Sequence, residues 1–158
     1  MHLLSKSSLI SVSAAVVVLV AGCGNNKVAE CNTLIEAINK GHGLVTNFKG
    51  NDAAAANKLA EDLDKITKEL ETVKLKDEKL KGFQSRFSQI YQDLGKAFRT
   101  TGKALGTASA AQPTQAGVQQ VQKAKTEVEA AGKAAEQAAQ KADVLATEIN
   151  SYCGGKSN

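Results

Sequence analysis

From residue 31 onward, apolar residues recur along this chain at intervals of three and four, the spacing that gathers them on one face of an α-helix. A first helix carries Cys31, Leu34, Ile35, Ile38, His42, Val45 and Phe48 on that face and closes near Gly50. Its middle is weakened by Gly41 and Gly43, each worth about 1 kcal/mol against alanine in a helix interior. Asn51 and Asp52 offer a side-chain cap for a second helix, whose stripe is Leu59, Leu63, Ile66, Leu70 and Val73. Asp77 offers the cap of a third, with Leu80, Phe83, Phe87, Ile90, Leu94, Ala97, Thr101 and Ala104 along a heptad seam. Gly106 to Thr114 holds the single proline, Pro113, among serine, alanine and glutamine, and reads as a turn. A fourth helix then runs from about Thr114 to Tyr152, with a seam of Val121, Ala124, Val128, Ala131, Ala135, Ala138, Ala142, Leu145, Ile149 and Tyr152, before Gly154-Gly155 stops it.

No segment shows the alternation of a half-buried strand. Short connections between long helices set successive helices side by side in opposite directions. The expected fold is therefore all-α: an antiparallel up-down four-helix bundle over residues 28–153. The first two helices span about 20 and 22 residues, the third about 30 and the fourth nearly 40, so at 1.5 Å per residue the last pair outruns the first by roughly 15 Å. The helix three–helix four hairpin is expected either to project or to bend back, with a tip from about Thr100 to Val121 rich in Gly, Ala, Thr and Gln. Alanines on the fourth seam allow close backbone approach but bury little area each, so that end is expected to be the less stable.

Composition narrows the chemistry. Twenty basic residues against 16 acidic ones give a net charge of +4, with both signs mixed along the chain and only 4% aromatic residues. Neither a like-charged block nor interleaved aromatics point to nucleic acid. The acid pairs Asp62-Asp64, Glu69-Glu71 and Glu127-Glu129 stand two apart, which puts the members of each pair on different helix faces, as solvated surface and not as an acid/base couple. His42 lies on the apolar stripe between Gly41 and Gly43, and one histidine does not make a zinc site. There is no nucleophile elbow and no phosphate-binding glycine loop. No catalytic, cofactor or metal residue is assigned, and the expectation is a protein that is not an enzyme. Gly82, Gly95, Gly102, Gly117 and Gly132 interrupt good helix formers and are expected where helices approach closely. The stretch "KTEVEAAGKAAEQAAQKAD" is a low-complexity helix.

The N-terminus follows another logic. Met1 to Lys6 is short and carries one fixed positive charge, Leu9 to Val20 is apolar apart from Ser11 and Ser13, and Ala21-Gly22 supplies small residues. A spanning helix needs roughly 20 apolar residues, so residues 1–22 read as a cleaved secretory signal. Val20-Ala21-Gly22-Cys23 resembles the lipobox of bacterial lipoproteins, with valine where that family usually has leucine. The resemblance implies that the Cys23 sulfur takes a diacylglycerol and that Cys23 becomes the acylated first residue of the mature chain. It further implies a membrane anchor of two or three acyl chains, firm where one chain is marginal. Gly24, where aspartate would favour inner-membrane retention in that family, implies the outer membrane of a cell that has one. Residues 23–27 are then a tether and 154–158 a disordered tail. The helical body looks like the small helical lipoproteins of bacterial envelopes, a monomeric module for protein interaction or scaffolding. The alternatives are an envelope spacer of the murein-lipoprotein kind, whose terminal lysine "GGKSN" lacks, or a small-molecule or lipid carrier.

With Cys23 acylated, Cys31 and Cys153 remain. One stands in the first turn of the first helix, the other at the end of the fourth. In an antiparallel bundle of four these points share one end of the molecule, whereas in a bundle of three they would lie at opposite ends. A disulfide needs Cα atoms within about 7 Å, and an exported chain meets an oxidising compartment, so Cys31 and Cys153 are expected to be bridged. Because Cys31 follows Cys23 closely, the bridged end should face the membrane and the hairpin tip should point away.

Overall fold

The computed structural model describes residues 26–154, and there the 3–4 periodicity is realised as four helices: α1 (Asn26–Thr46), α2 (Ala53–Thr72), α3 (Glu78–Ser109) and α4 (Gln115–Gly154). No strand occurs among the described residues. Both expected aspartate caps form. The Asp52 carboxylate accepts the Ala55 N–H at 2.7 Å, and Asp77 accepts that of Leu80 at 2.9 Å. Thr114 plays the same part for α4, its hydroxyl accepting the Gly117 N–H at 3.1 Å. The free carbonyls at the end of α2 are met from α3, where the Gln84 side-chain amide donates to Leu70 at 2.7 Å and to Val73 at 2.8 Å.

Two boundaries differ from expectation. Residues 26 and 27, assigned to the tether, already belong to α1. The Lys27 ammonium rests 3.7 Å above the Tyr152 ring, a tertiary contact for the first turn that local sequence does not announce. At the other terminus Gly154, assigned to the tail, is the last residue of α4, one past the bridged Cys153. Phe48, by contrast, lies beyond α1 but keeps its core contact, packing edge-on against Phe98 with ring centroids 5.2 Å apart.

α3 is the central element. It packs along both α2 and α4, whose Cα atoms do not come within 8 Å of each other among the described residues. α1 lies mainly on α2, with lesser contact to α3 and α4. One apolar core joins them, from Leu34, Ile35 and Ile38 through Leu63, Leu70, Leu80, Phe83, Phe87 and Leu94 to Leu145 and Ile149. Beyond Leu94 on α3 and before Ala138 on α4, the buried residues change character. They are Gly95, Ala97, Gly102 and Ala104 on one helix and Gly117, Ala124 and Ala131 on the other.

The overhang expected of the α3–α4 hairpin is realised on one side only. α1 ends beside Phe98, leaving eleven further residues of α3, about 16 Å of helix. α2 does not stop short in the same way, because Ala53 at its start lies against Gly102 and Gly106. The six-residue connection between α1 and α2 lets α2 begin further out than α1 ends, a placement that helix lengths alone do not give.

Candidate functional site: the disulfide-closed end

The candidate site is the end where the first turn of α1, the α2–α3 connection and the last turn of α4 meet. Cys31 and Cys153 are bonded there, with Cα atoms 5.8 Å apart. Cys31 is buried, and its partner is half-exposed. The residue before each cysteine then makes a second tie. On α1, the Glu30 carboxylate accepts the backbone N–H groups of Lys76 at 2.8 Å and Asp77 at 3.0 Å. On α4, the Tyr152 hydroxyl donates to Asp77 at 2.7 Å, while its ring packs against Phe83 at 5.9 Å. Asp77 therefore caps α3 and receives α4 at the same time.

These contacts move the titrations. The Leu80 N–H, and after it the Tyr152 hydroxyl, hold the Asp77 carboxyl below the usual carboxylate range. The same bond to Asp77 pushes the Tyr152 phenol up. The Tyr152 ring lies between two cations, with Lys27 at 3.7 Å and Lys79 at 4.6 Å from its centre.

Of the assigned residues, Cys31 and Cys153 come together as expected, and Cys23 lies outside the described residues. Glu30 has no part in the sequence pattern, and Tyr152 only a place on the seam of α4. Their partners lie 46, 47 and 75 residues away, and nothing in the local pattern marks them.

The rest of the surface is quieter. Between α1, α3 and α4, a cavity of about 50 Å³ is lined by Ile38, His42, Phe87, Tyr91, Leu94 and Asp143 among others. His42 is a half-buried wall residue there. The buried Tyr91 hydroxyl donates to the Ile38 carbonyl, and burial pushes its phenol well above the ordinary value. The acid pairs are spread over separate partners: Asp62 binds Lys58 and Lys65 on its own helix, whereas Asp64 reaches Arg99 on α3. Among the described residues no cluster of three His, Cys, Asp or Glu groups could hold a metal ion, and no helix is long and apolar enough to cross a membrane.

The glycines divide. A β-carbon on Gly102 would collide with Asn57 and come within 3.1 Å of the Ala53 carbonyl, so this glycine does mark close approach of α2 and α3. Gly82 and Gly132 face open space, and for them the expected close helix contact is not found. No family model, curated protein or solved structure matches this chain.

Proposed function

We propose that the chain is a lipid-anchored lipoprotein of a bacterial envelope, held through Cys23, whose helical body serves as a protein-interaction or scaffold module and not as an enzyme. The observation that carries this reading is the bond between Cys31 and Cys153. Disulfides persist where the compartment is oxidising, and this one sits eight residues after the lipobox cysteine. The four helices then run up-down-up-down, which brings the start of α1 and the end of α4 to one end. The pairing of Arg86 with Glu148 at 2.6 Å and the approach of Ala53 to Gly102 and Gly106 agree with that order. The bridged end faces the membrane, and the α3–α4 tip, where α1 has already ended, is offered to a partner.

Intact-mass measurement of the protein from its own cells tests the anchor. The expected product begins at Cys23 and carries diacylglycerol; a chain without a fatty adduct overturns the reading. Cross-linking in the same cells followed by affinity capture tests the module. A defined protein partner linked through the tip supports it, and recovery of peptidoglycan alone favours the spacer. Sedimentation separates the two again, since the module is a monomer and a continuous coiled-coil spacer is a trimer.

A further inference from the structure

At the bridged end two carboxylates are taken up by the fold itself. The carboxylates of Glu30 and Asp77 are half-buried and turned into the fold, each accepting backbone N–H groups. The lysines of the same region, Lys27, Lys74, Lys76 and Lys79, are all exposed, and none has a described carboxylate within salt-bridge distance. Lys27 and Lys79 flank the Tyr152 ring, and Lys74 and Lys76 lie in the connection that Glu30 fixes. The far end differs: Lys123 and Lys125 each have a glutamate one turn on, at 3.9 Å. At the bridged end the outward-facing acids beside the lysines, Glu78 and Glu148, are paired with Lys81 and Arg86, so the four lysines are left as a cation surface on a protein of only modest net charge.

We propose that this surface, Lys27, Lys74, Lys76 and Lys79 around Tyr152, seats on the phosphates of anionic phospholipids. Four ammoniums from three elements, fixed to one another by Glu30, Asp77 and the disulfide, form a rigid pad, so binding orders little besides the lysine side chains. Each lysine near an anionic bilayer strengthens partitioning by roughly fivefold at low salt. The interaction is screened within about 10 Å at 0.1 M salt. The pad holds the bundle upright on the bilayer, which an acyl anchor at Cys23 does not do by itself. The proposal borrows its orientation from the lipoprotein reading, but the surface is read from the lysines alone.

The test uses the chain from position 23 onward with Cys23→Ser, which carries neither the apolar leader nor an acyl group, so its outcome is independent of the anchor. Vesicles of phosphatidylcholine with about one-third phosphatidylglycerol are compared with phosphatidylcholine alone, a mixture chosen to give an anionic surface. The expected result is tighter binding to the anionic vesicles, lost on raising the salt. Changing Lys74, Lys76 and Lys79 to glutamate should weaken that binding by more than about a hundredfold. Changing Lys123, Lys125 and Lys133 to glutamate should leave most of it. Equal binding to the two vesicle types, or equal loss in both triple variants, overturns the proposal. Should the first triple variant fail to melt cooperatively, Lys74→Glu with Lys76→Glu, both in the exposed connection, gives the same comparison.

Discussion

The two halves of α4 are both rich in alanine with charges interspersed, yet they are held by different means. From Ala138 to Cys153 the helix faces α1 as well as α3, and it buries Ala138, Leu145, Ala146 and Ile149, with Ala142, Tyr152 and Cys153 packed at the margin. From Gln115 to Gln137 it has α3 alone, and only Gly117, Ala124 and Ala131 are buried, one residue in seven. Val121, on the other line of the same seam, is 44% exposed. The stretch of α4 with two neighbours buries residues on both lines of the heptad, and the stretch with one neighbour buries one. The difference teaches that the seam in the sequence marks what the helix can bury, and that the neighbours decide how much of it is used. The small side chains of Ala97, Ala104, Ala124 and Ala131 allow close approach at the cost of area, so the distal half rests on dispersion between backbones with little apolar burial.

The largest expected effect breaks the proximal half. α1 is placed by discrete ties: the disulfide, Glu30, the bond from Tyr91 to Ile38, and the edge contact of Phe48 with Phe98. Replacing Cys31 and Cys153 with serine should lower stability by about 2–5 kcal/mol, near the top of the range because the bridge closes most of the chain. Denaturant melts read the loss, and amide exchange should show α1 opening before α3.

Next comes a direct contrast between the halves of α4. Leu145→Ala empties a fully buried site and should cost about 2–5 kcal/mol, whereas Val121→Ala should stay within about 0.5 kcal/mol. Equal costs would mean that the distal seam is covered in solution, and sedimentation would then show whether a second copy covers it.

Glycines sharpen the same contrast. A β-carbon at Gly41 would stand 2.5 Å from the buried Tyr91 ring, so Gly41→Ala should destabilise by about 1–3 kcal/mol. Gly132 on the distal half of α4 meets nothing, and Gly132→Ala should stabilise by up to about 1 kcal/mol, raising the melting temperature.

The smallest effects follow pH. The folded Asp77 carboxyl ionises below its ordinary value, so its stabilisation is present above the usual carboxylate range and is lost as the solution is acidified through that range. Tyr91 is shifted the other way by burial. Its unfolded form ionises first as pH rises past the ordinary phenol value, so stability should fall there, and Tyr91→Phe should flatten the alkaline limb of a stability–pH curve. At neutral pH the same variant should lose only about 0.5–1.5 kcal/mol, the value of one hydrogen bond.

Much of this was legible along the chain. Helix positions, the caps at Asp52 and Asp77, the turn around Pro113 and the pairing of Cys31 with Cys153 follow from periodicity, short-range hydrogen bonding and the end-to-end geometry of helices. All of these depend on residues a few positions apart or, for the disulfide, on cysteines that stand at the start of the first helix and the end of the last. The extra helical residues at the two termini, the far-reaching start of α2 and the open setting of Gly82 and Gly132 were not legible.

The sequence by itself determined that the described chain is four helices and which face of each is apolar, because 3.6-residue periodicity and capping act within one element. Only the tertiary structure decided which parts of those faces are covered. It also decided that Glu30 and Tyr152 meet at Asp77, and that the lysines around them are left facing outward. Those outcomes depend on where helices 40 to 120 residues apart come to lie, and side-chain pattern within one helix carries no record of its neighbours' register.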